Sequence, residues 1–121
     1  MLKSWDIAHE TPRDRLYAYA DMMVQLKEDI YKHGCPIGSA CSELIKMGNI
    51  NQTNATDMIV LFRDWITKQI IELEYKKQKA DQLALHLISR TQGISLMANA
   101  FEDKSFLMRE VDQLKEWIRR L

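Results

Sequence analysis

Glycine, proline and cysteine are all scarce in this chain of 121 residues, with four, two and two copies respectively. The glycines and prolines stand between apolar residues spaced three and four apart, which is typical of helices and not of strands. Two cysteines are too few for a disulfide-rich scaffold, and Cys35 and Cys41 are too far apart to pair if one short helix carries both. The sequence therefore predicts an all-α, single-domain bundle of five main helices with two reduced thiols.

An excess of charge of one sign is also missing, because 17 basic residues balance 17 acidic residues and the net charge is zero. Non-specific affinity for nucleic acid depends largely on neutralising phosphates with positive charge. We therefore expect this chain alone to bind DNA poorly.

Long apolar runs are missing too, since no segment approaches the roughly 18 uninterrupted apolar residues that a membrane span needs. Residues 1–10 lack both the apolar core and the cleavage site of a secretory signal. These absences predict that the protein has no membrane partner and is cytoplasmic.

Signatures of catalysis are missing as well. The sequence has no glycine-rich phosphate loop, no serine in a nucleophile elbow, and no pair of acids on one helical face within an apolar run. His9, His33 and His86 share no metal-ligand spacing with each other or with the cysteines. We predict no enzymatic activity, no metal and no cofactor; a small all-α enzyme is the alternative, which strongly perturbed pKa values in one cleft would favour.

The first two predicted helices are delimited by helix-capping residues. Thr11 as N-cap and Pro12 at the first helical position start the first helix, which Gly34 should end. A second, short helix over 37–47 is predicted after Pro36 and before Gly48.

The third predicted helix begins at an Asn54 cap, with Asp57 three residues later, and ends near Lys79 or Ala80. Its length is inferred partly from a favourable pairing of Glu72 with Lys76 one turn later.

The fourth predicted helix, about residues 81–101, is apolar on more than one face. Its first stripe includes Leu83, Leu87 and Ile94, and its second stripe comprises Leu85, Ser89, Gly93, Leu96 and Ala100. Gly93 disfavours the helix by about 1 kcal/mol relative to alanine, so its presence indicates that another helix approaches closely there.

The last predicted helix, capped by Asp103, carries the apolar stripe Leu107, Val111, Leu114 and Ile118. Together with the second stripe of the fourth helix, these residues are the predicted dimer interface, a four-helix bundle under two-fold symmetry.

The residues now described resemble a known family, the C-terminal domain of TetR/AcrR transcriptional regulators, over about residues 11–118. The resemblance rests on the segment from Gly34-Cys35-Pro36-Ile37-Gly38 to Ser42-Glu43-Leu44, on Leu83-Ala84-Leu85-His86-Leu87, on Gln92-Gly93, and on Ala98-Asn99-Ala100-Phe101 before a final amphipathic helix.

The resemblance implies a repressor that dimerises through its last two helices and binds a small, apolar effector between its middle helices. The ligand-binding residues it implies are Tyr19, Met22, Met23, Leu26, Met58, Phe62, Trp65 and His86. The alternative for each apolar or aromatic residue is ordinary core packing, and for His86 a structural hydrogen bond.

The family places a helix-turn-helix before this domain, whereas residues 1–10 have room only for the tail of a connecting helix or a linker. Residues 11–121 form the predicted ligand-binding and dimerisation domain. Two interpretations stay open: a fragment of a repressor, whose DNA contact belongs to the parent protein, or a stand-alone, DNA-free dimer that binds a small molecule or pairs with another regulator.

Cys35 is a candidate redox sensor, because it lies beside His33 at the start of the second predicted helix, where a thiolate would be favoured. A small buried residue that fills the turn is the alternative.

Overall fold

A computed structural model describes the backbone of residues 2–34 and 51–121, and the side chains of these ranges except for 51–55. Every regular element in the described part is a helix, so the prediction of an all-α fold is confirmed. The six helices are α1 (Leu2–Ala8), α2 (Pro12–Gln25), α3 (Lys27–His33), α4 (Asn51–Glu72), α5 (Lys77–Ala100) and α6 (Lys104–Arg119). The helix predicted over 37–47 lies outside the described residues.

Both ends of the first predicted helix are confirmed. The Thr11 hydroxyl accepts a hydrogen bond from the Asp14 backbone N–H at 3.1 Å, and Pro12 is the first helical residue. Gly34, with φ 78°, ends α3 in a conformation that favours glycine. The single predicted helix is nevertheless divided at Leu26, where φ −97° and ψ 13° depart from helical values, so that α2 and α3 are separate helices.

The boundary between α4 and α5 differs from the prediction. Helix α4 begins at Asn51, so Asn54 lies within it and is not its N-cap, and it ends at Glu72 instead of near Lys79. The chain turns at Glu74, which has φ 73°, and Lys76 is the N-cap of α5. Glu72 and Lys76 therefore lie on either side of a turn and do not form the predicted pair within one helix.

The predicted start of α6 is confirmed, because an Asp103 carboxylate oxygen accepts a hydrogen bond from the Phe106 backbone N–H at 2.9 Å. The other end is held by the Arg13 guanidinium of α2, which donates to the carbonyl oxygens of Ile118 and Leu121. These contacts join α2 to the C-terminal end of the chain, where the Ile118 carbonyl oxygen also accepts from the Leu121 backbone N–H at 3.1 Å.

The core forms where α2 packs against α4 and α6, and where α4 packs along α5. Large side chains from these helices and from α3 are fully buried: Leu16, Ile30, Ile66, Ile70, Leu87, Leu107, Leu114, Ile118 and Val111. Burial of each such side chain stabilises the fold by roughly 1.5–3 kcal/mol. Helix α2 is thus central, and one of its sides is available for a site between α2 and α5.

In the described ranges, no helix combines the length and the apolar character that a bilayer crossing requires.

Candidate functional site

A cavity lies between α2, α3, α4 and α5. The space between its lining atoms, including the part open to solvent, is about 490 Å³, and only a small part is wide enough for a water molecule. The described residues that line it are Tyr19, Met22, Met23, Leu26, Ile30, Ile59, Phe62, Ile88, Thr91, Gln92 and Ser95. Most of this surface is apolar, so the cavity suits an apolar molecule and would have to widen to admit one.

The structure brings together most of the residues that the family resemblance implied for ligand binding. Tyr19, Met22, Met23, Leu26 and Phe62 all line the cavity. Four of them come from α2 and the turn after it, and Phe62 comes from α4. The ring centroids of Tyr19 and Phe62 are 5.9 Å apart, so the two rings form one continuous wall.

The other three predicted ligand-binding residues do not line this cavity. Trp65 is buried, but its indole N–H donates to an Asp6 carboxylate oxygen at 2.9 Å, beyond the aromatic wall. Met58 is 43% exposed. His86 is exposed, and its ring lies 5.3 Å from that of Trp117, because it lies on the side of α5 that faces α6 and not on the cavity side.

Helix α5 contributes to the cavity through residues other than the predicted His86. Ile88, Thr91, Gln92 and Ser95 line the cavity, and their three- and four-residue spacing places them on one side of a helix. The same spacing was available from the sequence. In the sequence, however, Thr91 and Ser95 look like surface residues because their hydrogen-bond partners are unknown.

Three buried hydroxyl groups on the α5 side of the cavity all have hydrogen-bond partners within the protein. The Ser95 hydroxyl donates to the Thr91 carbonyl oxygen at 2.9 Å, and the Thr91 hydroxyl donates to the Ile88 carbonyl oxygen at 2.8 Å. The Tyr19 hydroxyl lies 2.9 Å from the Thr91 hydroxyl. Because each hydroxyl group has a hydrogen-bond partner, these polar side chains are tolerated in an apolar wall.

Aromatic contacts extend from the cavity to helix α1. The Trp5 ring of α1 packs edge-on against Tyr19, with centroids 6.3 Å apart, and lies 5.3 Å from the Trp65 ring. Arg15 of α2 donates to the carbonyl oxygens of Asp6 and His9. A residue of the cavity wall therefore touches the N-terminal helix directly.

The outer side of α5 presents the second predicted stripe to solvent. Leu85 and Leu96 are 39% and 63% exposed, and Ser89, Gly93 and Ala100 are exposed as well. Among the residues that the structure describes, a Cβ atom built on Gly93 would meet no heavy atom within 4 Å. Packing within this part of the chain therefore does not require glycine at this position.

The predicted contribution of α6 to a dimer interface needs correction. Leu107, Val111, Leu114 and Ile118 are at most 1% exposed, because they pack into the core of their own chain. Side chains without accessible surface cannot contact another subunit. An interface that includes α6 must use its outer side, which carries the partly exposed Met108.

The described groups whose pKa values are shifted form ion pairs at the protein surface. The Arg63 guanidinium of α4 holds the Asp81 carboxylate of α5 through two hydrogen bonds, of 2.7 and 2.5 Å, and lowers the pKa of Asp81. Hydrogen bonds from Lys104 and Arg119 likewise lower the pKa of Glu28 and of Glu116, respectively. Among the described residues, none of these groups lines the cavity.

Cys35, the candidate redox sensor, lies outside the described residues, as does Cys41. The sensing role remains a prediction for which a thiol reagent should modify Cys35 well before Cys41.

The chain matches a known family. The family model for the C-terminal domain of LmrA/YxaF-like transcriptional regulators matches residues 12–113. The matched range runs from the first residue of α2 into α6 and includes every cavity-lining residue identified above. Among curated proteins, none matches the sequence.

Proposed function

The chain belongs to the TetR-family C-terminal domains of the LmrA/YxaF-like type, and we propose that it is the effector-binding and dimerisation part of a TetR-like transcriptional repressor. Domains of this family generally bind effectors and dimerise within regulators. As a regulatory domain, it is expected to act in the cytoplasm and to have no catalytic activity of its own.

The observation that carries the proposal is the two-sided character of α5. Its inner side supplies Ile88, Thr91 and Ser95 to the cavity. Its outer side exposes the stripe with Gly93 at its centre. One helix thus separates the effector from the partner subunit, so a shift of α5 on binding would change the contact between subunits.

Homodimerisation is supported by the surroundings of Gly93. Glycine disfavours a helix interior by about 1 kcal/mol relative to alanine, and the described part of the chain leaves open space at this position. A flat strip between Leu85 and Leu96 allows the backbone of a second helix to approach closely. A second copy of this chain, with its own α5 and the outer side of α6, fits this strip under two-fold symmetry.

Effector binding is supported by the composition of the cavity. Met22 and Met23 lie in its wall, and methionine side chains are unbranched and adapt to different shapes. A narrow cavity bordered by such side chains can widen without breaking a helix. We therefore propose a small, mainly apolar effector.

We propose that the dimer exists in two forms that differ in the spacing of its subunits. An effector shifts the balance between them only to the extent that it binds one form more tightly than the other. Helix α1, which touches Tyr19 through Trp5, is the proposed tail of a connecting helix that transmits the spacing. DNA contact is assigned to a helix-turn-helix of the parent protein, and its presence in the coding frame upstream of Met1 would distinguish this proposal from a DNA-free dimer.

Native mass spectrometry of the chain after mild purification tests the proposal. We expect a species of twice 14.2 kDa that also binds small apolar molecules, with the added mass lost on denaturation. A monomer of 14.2 kDa that acquires no added mass from any apolar compound would contradict both parts of the proposal. Titration with duplex DNA at physiological salt should show no binding, since the net charge is zero.

A further inference from the structure

The hydroxyl groups in the cavity wall restrict the chemistry of the effector. Resting on the proposed function, we propose that the effector has an apolar body with one uncharged hydrogen-bond donor, a hydroxyl or N–H group, which it directs to the Ser95 hydroxyl oxygen on α5.

The Ser95 hydroxyl proton already has an acceptor within the protein. A serine hydroxyl has one proton, and that of Ser95 is donated to the Thr91 carbonyl oxygen at 2.9 Å. As long as this bond is kept, the Ser95 oxygen offers only acceptor positions to a molecule in the cavity. The residue is 2% exposed, so bulk water competes little for this oxygen.

The neighbouring hydroxyl groups have the same polarity. The Thr91 proton is donated to the Ile88 carbonyl oxygen at 2.8 Å, so the Tyr19 hydroxyl must be the donor in its 2.9 Å contact with Thr91. Toward any further partner, the Tyr19 oxygen is then also an acceptor. The protons of all three groups are donated within the protein, and their oxygens, together with the side chain of Gln92, form the polar part of the described wall.

Beside Ser95, the hydroxyl oxygens disfavour a ligand whose polar group is also an acceptor. A carboxylate would place negative charge against these oxygens, and the described lining residues include no basic side chain to balance it. They include no acidic side chain either, so an ammonium group would lose its hydration without a counter-ion. A neutral donor avoids both penalties.

Three compounds of similar shape separate these possibilities: 2-naphthol, 2-fluoronaphthalene and 2-naphthoate. The first has a neutral donor, the second replaces the hydroxyl by a fluorine of similar size that cannot donate, and the third is an anion. Binding is measured on the whole chain by NMR of ¹³C-labelled methionine methyl groups, since Met22 and Met23 report on the cavity.

We expect 2-naphthol to bind about tenfold more tightly than 2-fluoronaphthalene, the effect of one buried hydrogen bond. We expect 2-naphthoate to bind roughly 100-fold more weakly than 2-naphthol, because a buried charge without a partner is disfavoured. If 2-fluoronaphthalene or 2-naphthoate binds the protein as tightly as 2-naphthol does, the proposal is overturned.

Two serine variants on the same helix locate the contact. Ser95→Ala should remove the tenfold advantage of 2-naphthol and leave 2-fluoronaphthalene binding unchanged. Ser89→Ala, on the exposed side of α5, should change neither. An undiminished advantage in Ser95→Ala would overturn the assignment to Ser95.

Failure of the proposed function has a different signature. If none of the three compounds shifts the methionine signals of the folded chain, the cavity is not an effector site, and both this inference and the proposed effector role are wrong. If all three bind equally well, the effector role is supported and only the inferred chemistry is wrong.

Discussion

Helices α5 and α6 are adjacent in sequence and both carry apolar stripes, yet they use those stripes differently. In α6 the stripe that includes Val111 and Leu114 is buried in its own chain. In α5 the inner side is buried, whereas the outer side, with Leu85 and Leu96, is exposed. The apolar stripe of α6 is thus covered within its own chain, whereas that on the outer side of α5 is not.

The difference follows from how apolar residues are distributed around each helix. Helix α6 has one apolar side and one charged side, so burial in its own core satisfies it. Helix α5 has small or apolar residues on opposite sides, and one protein core can cover only one of them. A second apolar side on a helix is therefore better evidence for a partner subunit than one strongly apolar stripe.

Truncation of a buried α6 residue should have the largest effect on stability. Leu114 is 0% exposed, so we expect Leu114→Ala to lower the free energy of unfolding by roughly 2–5 kcal/mol, as measured by urea denaturation. The control is Leu96→Ala, at a site 63% exposed, which should change the stability of the dissociated chain little. Similar losses in both variants would remove the difference between the two helices.

A bulky side chain on the outer side of α5 should have the next largest effect, on association and not on folding. We expect Gly93→Leu to weaken dimerisation roughly 100-fold, or about 2.7 kcal/mol, because the added side chain keeps the second helix away. Lys68→Leu, at an exposed site on α4, is the matched control. Dimerisation as tight in Gly93→Leu as in the wild type would place the interface elsewhere.

A smaller change at the same position separates folding from association. Open space at Gly93 within the described chain leads us to expect that Gly93→Ala stabilises the monomer by up to about 1 kcal/mol through helix propensity. Thermal unfolding at concentrations well below the dimer dissociation constant measures this effect. A lower melting temperature would mean that the chain itself needs glycine there.

The smallest expected effect concerns the ion pair that joins α4 to the inner side of α5. Arg63 lowers the pKa of Asp81 below its ordinary value of 3.8, so the pair stabilises the fold above that value and loses its effect as the pH falls through the lowered pKa. Arg63→Gln should therefore be slightly less stable than the wild type at pH 7, and the difference should shrink in acid. Unfolding curves recorded from pH 7 to pH 2 measure this difference in stability, with Lys68→Gln as the control. A difference that does not depend on pH would exclude the ion pair as its cause.

The helix ends that were predicted correctly are marked by local chemistry, although the cap predicted in the same way at Asn54 was wrong. Thr11, Gly34 and Asp103 cap their helices through contacts within a few residues, and such contacts can be inferred from sequence. The boundaries at Leu26 and Glu74 could not be inferred. Neither is marked by glycine or proline, and Glu74 takes a positive φ that favours other residues.

The candidate site was predicted in part for a similar reason. Tyr19, Met22 and Met23 follow from the apolar side of one helix and from the family resemblance. The direction in which α5 presents Thr91 and Ser95, and the burial of Leu114 within its own chain, depend on how helices pack against each other. A periodic pattern identifies a side of a helix, but it does not identify what covers that side.

Sedimentation equilibrium of the whole chain over a range of micromolar concentrations tests most directly whether a second copy covers the outer side of α5. We expect a mass of twice 14.2 kDa for the wild type and a shift toward the monomer for Gly93→Leu. A mass of 14.2 kDa for the wild type at every concentration would contradict it.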